Sequence, residues 1–136
     1  MVKALKNINV VGGIIIDNNK IFCVKRGPGR SLENYWEFPG GKIEGDETLQ
    51  EALKRELKEE LCIEVKTSDA VFDIASYDYS FGRVNLTTIL CQLKSGQPIL
   101  NEHIDMKWLA PKDLTTLDFA PVDISAVKKL ETLFAD

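Results

Sequence analysis

Three glutamates near the middle of the chain, Glu56, Glu59 and Glu60, have the spacing of side chains that share one flank of a helix. The outer two are four residues apart, so their carboxylates should lie one above the other, with Glu59 beside them. Carboxylates this close repel one another by about 0.2–0.5 kcal/mol per pair. A hard divalent cation such as Mg²⁺ reverses that sign, because it prefers carboxylate, phosphate and water oxygens. The spacing therefore favours a cation site that also attracts an anionic ligand.

The same glutamates also fit an ordinary solvated helix face. Lys54, Arg55 and Lys58 lie among them, and exposed ion pairs of this kind contribute little to stability. What favours chemistry is the fixed order of the residues that come before: a glycine-rich loop, then Glu47, then the Arg55-Glu56 pair.

The elements that must position these glutamates follow from the hydrophobic pattern. Apolar residues recur at three- and four-residue steps, and Thr48 with Glu51 fits a capping box, which together predict a helix over 48–61. Strands are predicted at 8–16, 21–25, 63–65, 71–79, 84–93 and 106–109, a helical turn at 111–114 and a second amphipathic helix at 122–134. This order predicts a single α/β domain over 1–136, with a mixed β-sheet between helices.

Composition narrows the class of protein. The 136 residues carry a net charge of −4, so no broad basic surface is available for a nucleic-acid polymer, and a bound polyphosphate needs a metal or a local basic cluster. Cys23, Cys62 and Cys91 are widely spaced among apolar neighbours, which predicts buried, reduced thiols in a cytoplasmic protein. The apolar stretch 10–16 is short and is interrupted by glycines, so we expect neither a signal peptide nor a membrane span.

Residues 41–63 resemble the Nudix box, G-x5-E-x7-R-E-U-x-E-E-x-G-U, in which U is an aliphatic residue. The matching positions are Gly41, Glu47, Arg55, Glu56, Leu57, Glu59, Glu60 and Ile63. A motif of this length is far more specific than a short glycine pattern. The one departure is Cys62, where the family has a glycine that ends the helix in a left-handed conformation. This departure changes the local backbone requirement but removes no metal ligand.

The resemblance implies a Nudix-type α/β/α sandwich and a magnesium-dependent hydrolase, with Mn²⁺ as an alternative metal. Its implied metal ligands are the carbonyl of Gly40 and the carboxylates of Glu56, Glu59 and Glu60. Arg55 would orient these carboxylates through charge-assisted hydrogen bonds, and Glu47 would support the loop before the helix.

Similarity to the MutT-type branch, which hydrolyses nucleoside triphosphates, extends beyond the box. The stretch 36–42 (WEFPGGK) resembles that branch, and we expect Phe38, Gly40 and Lys42 at the substrate. Arg26 falls where the branch often has a basic residue near the substrate phosphates, although an ordinary surface arginine fits this position equally well.

A loop glutamate, Glu102, lies six residues before Trp108 and resembles one that supplies a further metal ligand or the general base. Glu56 and Glu102 therefore both qualify as the base. His103, the only histidine, is adjacent and is expected to be an exposed loop residue.

The segment before the last predicted helix is where MutT-type enzymes contact the base. Asp123 is the candidate base reader and Phe119 a candidate apolar wall, while N-capping of the helix is the alternative role for Asp123. An ionised aspartate only accepts hydrogen bonds, which suits cytosine's exocyclic amine, and a shared proton would restore a donor. Tyr79 is expected in the nucleoside pocket, although core or sheet packing is expected to account for at least two of the alternating aromatics Tyr77, Tyr79 and Phe81.

The function implied by the resemblance is pyrophosphohydrolysis of a nucleoside triphosphate to a monophosphate, in nucleotide-pool sanitising, with 8-oxo-guanine or cytosine as the base. A hydrolase of ADP-ribose or another nucleoside diphosphate derivative is an alternative, although such enzymes often have a proline soon after the box and none occurs between Pro39 and Pro98. A non-catalytic nucleotide-binding domain is a second alternative, but the box glutamates are all present. A monomer or homodimer without nucleic-acid or membrane partners is expected.

Overall fold

The structure is a computed structural model and describes residues 5–134. Residues 1–4 and 135–136 of the predicted domain lie outside the described part. The strands are β1 (Asn7–Asp17), β2 (Lys20–Arg26), β3 (Trp36–Glu37), β4 (Gly40–Lys42), β5 (Glu64–Thr67), β6 (Asp73–Tyr79), β7 (Gly82–Ser95) and β8 (His103–Leu109). The helices are α1 (Leu49–Leu61) and α2 (Ile124–Leu133), with 3₁₀ turns at Pro111–Thr116 and Pro121–Asp123.

The sheet is mixed and is built around β1. Along one edge β1 runs parallel to β7, from the pair Asn7–Arg83 to the pair Ile16–Gln92. Its other edge has two antiparallel partners in succession: β4 opposite its first half and β2 at its end. The outer edge of β7 is likewise shared between β6 and β5, and β2 pairs with β3 and β8.

Alternation of side chains along β1 produces two apolar layers. Val11 and Ile15 join the core under α1, where Ala52, Leu53, Leu57 and Leu61 are fully buried. Ile14 points to the opposite face and packs in the core under α2 with Ala126, Val127 and Leu130. The sheet therefore lies between the two helices, which confirms the predicted α/β/α arrangement. Among residues 5–134, no helix is long and apolar enough to cross a membrane.

Helix α1 begins and ends much as its sequence predicts. The Glu51 amide donates to Thr48 Oγ1 at 3.1 Å and the Thr48 amide donates to Glu51 Oε1 at 2.8 Å, which completes the capping box. At the other end Cys62 adopts the left-handed conformation (φ 59°, ψ 35°) that the family glycine would take, and its amide donates to the Leu57 and Lys58 carbonyls. Cysteine thus preserves the backbone shape here at a steric cost.

The cysteine prediction is correct for two of the three thiols. Cys23 and Cys91 are buried, and burial raises the pKa of each thiol to about 12. Cys62, by contrast, is exposed, because the left-handed residue after α1 lies at the surface rather than on the apolar stripe of the helix.

Three further features differ from the sequence prediction. The sequence pattern does not predict the short strands β3 and β4. The glycines of β4 have low strand propensity, and β4 pairs where β1 presents a free edge. β8 begins at His103 rather than 106. The last helix begins at Ile124 rather than 122, because Pro121–Asp123 form a 3₁₀ turn.

The left-handed residue after α1 allows a test of its steric cost. We expect Cys62→Gly to raise the free energy of unfolding by about 1 kcal/mol, because glycine adopts this conformation without a Cβ clash. Urea denaturation measures this change. Cys62→Ala, which keeps the Cβ, is the control, and an equal gain in both variants would contradict the explanation.

Candidate active site

A cavity of about 420 Å³ is bounded by β1, β4 and β7, one flank of α1, the β2–β3 loop and the Pro121–Asp123 turn. Part of its wall is apolar and is formed by Ile8, Val10, Val84 and Leu86. Among the predicted site residues, those that line the cavity are Arg26, Phe38, Gly40, Lys42, Glu56, Glu60, Tyr79 and Asp123. Those that lie outside its lining are Arg55, Glu59, Glu102 and Phe119.

Arg55 joins helix α1 to the loop that precedes it. Its guanidinium donates two hydrogen bonds to Glu47, at 2.7 and 2.9 Å, and one to the carbonyl of Lys42 at 3.0 Å. A further bond of 2.9 Å goes to Glu56 Oε1. The bonds to Glu47 and Glu56 raise the pKa of Arg55, and the same contact with Arg55 lowers the pKa of Glu47. Arg55 therefore fixes one carboxylate of the cavity and the loop beneath it.

Gly41 allows the Glu56 carboxylate to lie directly against the β4 backbone. A Cβ at Gly41 would lie 2.3 Å from Glu56 Cδ and 2.4 Å from Oε2. Gly40 is equally restricted, because a Cβ there would meet the Val11 carbonyl at 1.9 Å. Both glycines of the motif are thus required for close approach, one to a carboxylate and one to the neighbouring strand.

Glu60 lies next to Glu56 in a partly dry position. Burial, followed by the charge of Glu56, raises the pKa of Glu60 to about 8, and Glu102 and Glu37 contribute in the same direction. Two carboxylates in one desolvated place are unfavourable unless a proton or a cation is shared between them. We call this pair, Glu56 and Glu60, the carboxylate end of the cavity.

The prediction that three helix carboxylates converge is only partly correct. Glu59 is 61% exposed and its Oε2 is 3.4 Å from Arg55 Nη1, outside the cavity. Successive helix residues are rotated by about 100°, so Glu59 and Glu60 lie on opposite sides of Glu56. Within residues 5–134, no three acidic, histidine or cysteine side chains are arranged closely enough to hold a metal ion by themselves.

Arg26 lies on the cavity wall, but most of its donors are already used within the protein. Nη1 is 3.3 Å from both oxygens of Glu37, while Nε donates to the Ser31 carbonyl at 2.7 Å and Nη2 to Ser31 Oγ at 3.3 Å. Arg26 therefore connects the β2–β3 loop to β3.

His103 is buried, so the prediction of an exposed loop residue is wrong. It begins β8 opposite Arg26, and its Nε2 is 3.0 Å from Glu37 Oε2. Among the described residues, its buried Nδ1 has no hydrogen-bond partner. Glu37, which sequence reasoning did not select, connects Arg26 with His103, and the only available signal was its position beside Phe38.

Glu102 is at the rim rather than in the cavity. Its Oε2 accepts a hydrogen bond of 3.0 Å from Arg30 Nη1, and the two side chains are 48% and 40% exposed. Arg30 itself lines the cavity together with Ser31 and Leu32 of the same loop. Arg30 and Glu60 line the same cavity, so the rim formed by Arg30 and Glu102 borders the carboxylate end, and the charge of Glu102 contributes to the raised pKa of Glu60.

Asp123 occupies the opposite part of the cavity and is buried. Its Oδ2 accepts a hydrogen bond of 3.0 Å from the Phe38 amide, and its side chain makes no capping hydrogen bond to α2, so the capping role is not observed. Burial, then the charge of Glu37, raises the pKa of Asp123 well above 3.8. We call this region the Asp123 end of the cavity.

Aromatic side chains hold the Asp123 end in place. The Tyr79 hydroxyl accepts a hydrogen bond of 3.0 Å from the Val122 amide, and Phe81 stacks on Tyr79 with ring centroids 5.2 Å apart. Tyr79 and Phe81 both line the cavity, whereas Tyr77 does not. Phe119, predicted as a wall of the pocket, is buried behind Phe38 at a centroid distance of 5.2 Å.

Comparison with known proteins identifies the family. A family model of the NUDIX domain matches residues 6–130. The chain belongs to the Nudix family. The 8-oxo-dGTP diphosphatase of Escherichia coli K12 is 32% identical to this Nudix chain over 130 residues, which cover 95% of this chain and 100% of the relative. The CTP pyrophosphohydrolase of the same organism is 34% identical over 133 residues, which cover 96% of each chain.

A solved structure supports the same assignment. The solution NMR structure of the DNA mismatch repair protein MutT, of the Nudix hydrolase family, from methicillin-resistant Staphylococcus aureus 252 is 44% identical. The alignment covers 95% of this chain and 98% of that chain, with a TM-score of 0.77. The predicted Nudix fold and hydrolase family are therefore confirmed.

Nudix hydrolases generally use a divalent metal ion, and the carboxylate end fits one. Glu56 and Glu60 supply adjacent hard oxygen donors, and their mutual repulsion is what a cation relieves. The space above Gly41 is too small for a Cβ and keeps the Glu56 carboxylate against the backbone. Two protein carboxylates are a usual protein share for a hard divalent cation, which leaves coordination positions for other oxygen ligands.

The contact between Gly41 and Glu56 gives a test of the carboxylate end. We expect Gly41→Ala to displace the Glu56 carboxylate and to weaken Mn²⁺ binding about ten- to a hundredfold, as measured by calorimetry. The melting temperature should change little, because the displaced atoms are the end of a flexible side chain. Gly13→Ala is the matched control, since a Cβ there has ordinary contacts of 3.4 Å or more. Equal Mn²⁺ affinity in wild type and Gly41→Ala would contradict this account.

The buried Asp123 carboxyl should affect stability as a function of pH. Its folded-state pKa is raised, so the folded protein binds more protons than the unfolded chain above 3.8, and the free energy of unfolding falls as pH rises. Asp123→Asn cannot ionise, so its stability relative to wild type should increase with pH. Urea denaturation at several pH values between 3.8 and neutrality measures this difference. Asp118→Asn, which removes an exposed carboxyl nearby, is the control, and a pH-independent difference for Asp123→Asn would refute the prediction.

Proposed function

We propose that this Nudix hydrolase is a Mg²⁺-dependent nucleoside triphosphate pyrophosphohydrolase, which converts an NTP or dNTP and water to the monophosphate and pyrophosphate. The observation that carries the proposal is that one cavity joins a pair of carboxylates, Glu56 and Glu60, to a buried carboxyl, Asp123. The first end suits a metal-bound polyphosphate and the second suits a base. A nucleoside triphosphate carries both groups.

At the carboxylate end, Glu56 and Glu60 would hold the metal, with the Gly40 carbonyl and Glu59 as further candidate ligands. A bound Mg²⁺ would supply polarisation of the attacking water and neutralisation of the charge that develops on phosphate. Arg55 already uses one oxygen of Glu56, which favours a ligand role for Glu56. Glu102 is then the better candidate for the general base, since it lies half exposed at the rim and only a surface ion pair with Arg30 holds it.

At the Asp123 end, we propose that the carboxyl is protonated when the base binds. Burial favours this neutral form, and Oδ2 already accepts from Phe38, so the proton would lie on the other oxygen. A neutral carboxyl both donates and accepts, as an amide does. It would therefore complement a base edge that presents a donor beside an acceptor, which 8-oxo-guanine and cytosine both do. Phe38 and Tyr79 would contact the nucleoside, and Lys42 and Arg26 lie on the phosphate side.

Relatives support a role in nucleotide-pool sanitising. One relative is named for 8-oxo-dGTP and another for CTP, so both candidate bases occur in their names. The two relatives have similar sequence identity to this chain, 32% and 34%. We also propose a single domain that acts in the cytoplasm as a monomer or homodimer, on a small nucleotide rather than on a nucleic-acid polymer or a membrane. The net charge of −4 and the two buried thiols support this proposal.

A substrate panel tests the activity and the base together. We expect Mg²⁺-dependent pyrophosphate release from one of 8-oxo-dGTP, dGTP, dCTP, 5-methyl-dCTP and CTP, and little cleavage of ADP-ribose. Replacement of Glu60 by Gln should lower kcat at least about a hundredfold, because a ligand to the metal is lost while the fold remains. Glu64→Gln, which changes an exposed glutamate beyond the end of α1, is the matched control. Full activity of Glu60→Gln, or preferential cleavage of ADP-ribose, would refute the proposal.

A further inference from the structure

The basic side chains of the cavity differ in how firmly they are held. Arg26 makes hydrogen bonds to Ser31 and Glu37 and is only 18% exposed, so a reorientation toward substrate would break contacts within the protein. Arg30 is 40% exposed, and its one ion pair among residues 5–134 is with Glu102. Of the two arginines, the one better able to move toward a ligand is therefore Arg30, which the sequence motif did not indicate.

The β2–β3 loop delivers Arg30 to the rim of the cavity. Its two ends are joined by hydrogen bonds of 2.9 Å between the backbones of Arg26 and Tyr35 and of Asn34 and Arg26. The bond from Arg26 Nε to the Ser31 carbonyl then fixes the residue next to Arg30. The loop backbone is thus ordered, while the Arg30 side chain extends from it over the cavity.

The ion pair between Arg30 and Glu102 is easily exchanged. Both side chains are substantially exposed, and exposed pairs of this kind contribute little to stability because water competes for both charges. A polyphosphate carries more negative charge than one carboxylate, and its oxygens match the two-pronged geometry of a guanidinium. Acidic side chains outnumber basic ones on the cavity lining. The acidic residues are Glu37, Glu44, Glu56, Glu60 and Asp123, and the basic ones are Arg26, Arg30 and Lys42.

We propose that Arg30 is a polyphosphate-binding residue that leaves Glu102 for a substrate phosphate, so that substrate binding itself frees the Glu102 carboxylate. This inference rests on the proposed function, because it assigns a contact for the phosphates of that substrate. Glu102 is paired and inactive until a polyphosphate draws Arg30 away. The released carboxylate then lies at the rim that faces Glu60, where a base or a further metal ligand is needed.

Binding of Mg²⁺-tripolyphosphate, measured by calorimetry, tests the contact without a base and without turnover. We expect Arg30→Ala to raise Kd about tenfold, because one charge-assisted hydrogen-bond contact is lost. Arg30→Lys should give a smaller increase, since it keeps the charge but not the paired geometry. The matched control is Arg83→Ala, which removes an exposed arginine paired with Asp78 outside the cavity. Equal Kd values for wild type and Arg30→Ala would overturn the proposal.

A double-mutant cycle tests the exchange with Glu102. In wild type part of the Arg30–phosphate contact is offset by loss of the pair with Glu102, so the Kd increase caused by Arg30→Ala should be about twofold larger in a Glu102→Gln background. An equal or smaller increase would show that Arg30 does not leave Glu102 on binding. If wild type binds tripolyphosphate but cleaves no nucleotide, the proposed function fails and the Kd ratios still decide this inference. Absence of tripolyphosphate binding to wild type would overturn it.

Discussion

The hydrogen bonds of Arg55 are the interaction on which the site depends. One guanidinium contacts the loop carboxylate Glu47, the Lys42 carbonyl and the cavity carboxylate Glu56. It therefore fixes the position of α1 relative to β4, and with it the side chain that lies above Gly41. Neither the helix cap nor the apolar stripe of α1 can set the distance between Glu56 and β4. The cap acts at the start of the helix and the stripe acts beneath it, whereas Glu56 lies on the flank. The close approach of Glu56 to the strand backbone follows from this network.

Two carboxyl groups in the cavity face the same electrostatic problem and are suited to different solutions. Burial raises the pKa of both Glu60 and Asp123. Glu60 has a second carboxylate beside it and opens toward the rim, which suits a shared cation. Asp123 is buried at the other end of the cavity and accepts one backbone hydrogen bond, which suits a proton. The same residue chemistry thus has opposite charge requirements at the two ends of one cavity.

The sequence predicts the helices, most strands and the list of charged groups well, because these depend on local periodicity and on a long motif. It predicts their arrangement less well. Glu59 and Glu102 belong to the predicted set, yet they lie outside the cavity, where Arg55 and Arg30 hold them. His103 is buried because β8 pairs with β2. The same pairing places both Arg26 and His103 beside Glu37, which gives Glu37 its connecting role. Contacts of this kind join residues far apart in the chain, and no local spacing encodes them.

The hydrogen bond from the Phe38 amide to Asp123 has a consequence for the evolution of selectivity. Its donor belongs to the main chain, so it persists whatever side chain occupies position 38, and any acceptor of similar length at position 123 can take the place of the carboxylate. Exchange of aspartate for asparagine would alter what the cavity offers a base while the backbone between Phe38 and Gly41 stays in place. On the proposed role of Asp123, preference for a base can therefore diverge between related enzymes by a single codon change, with no corresponding adjustment at Glu56 and Glu60.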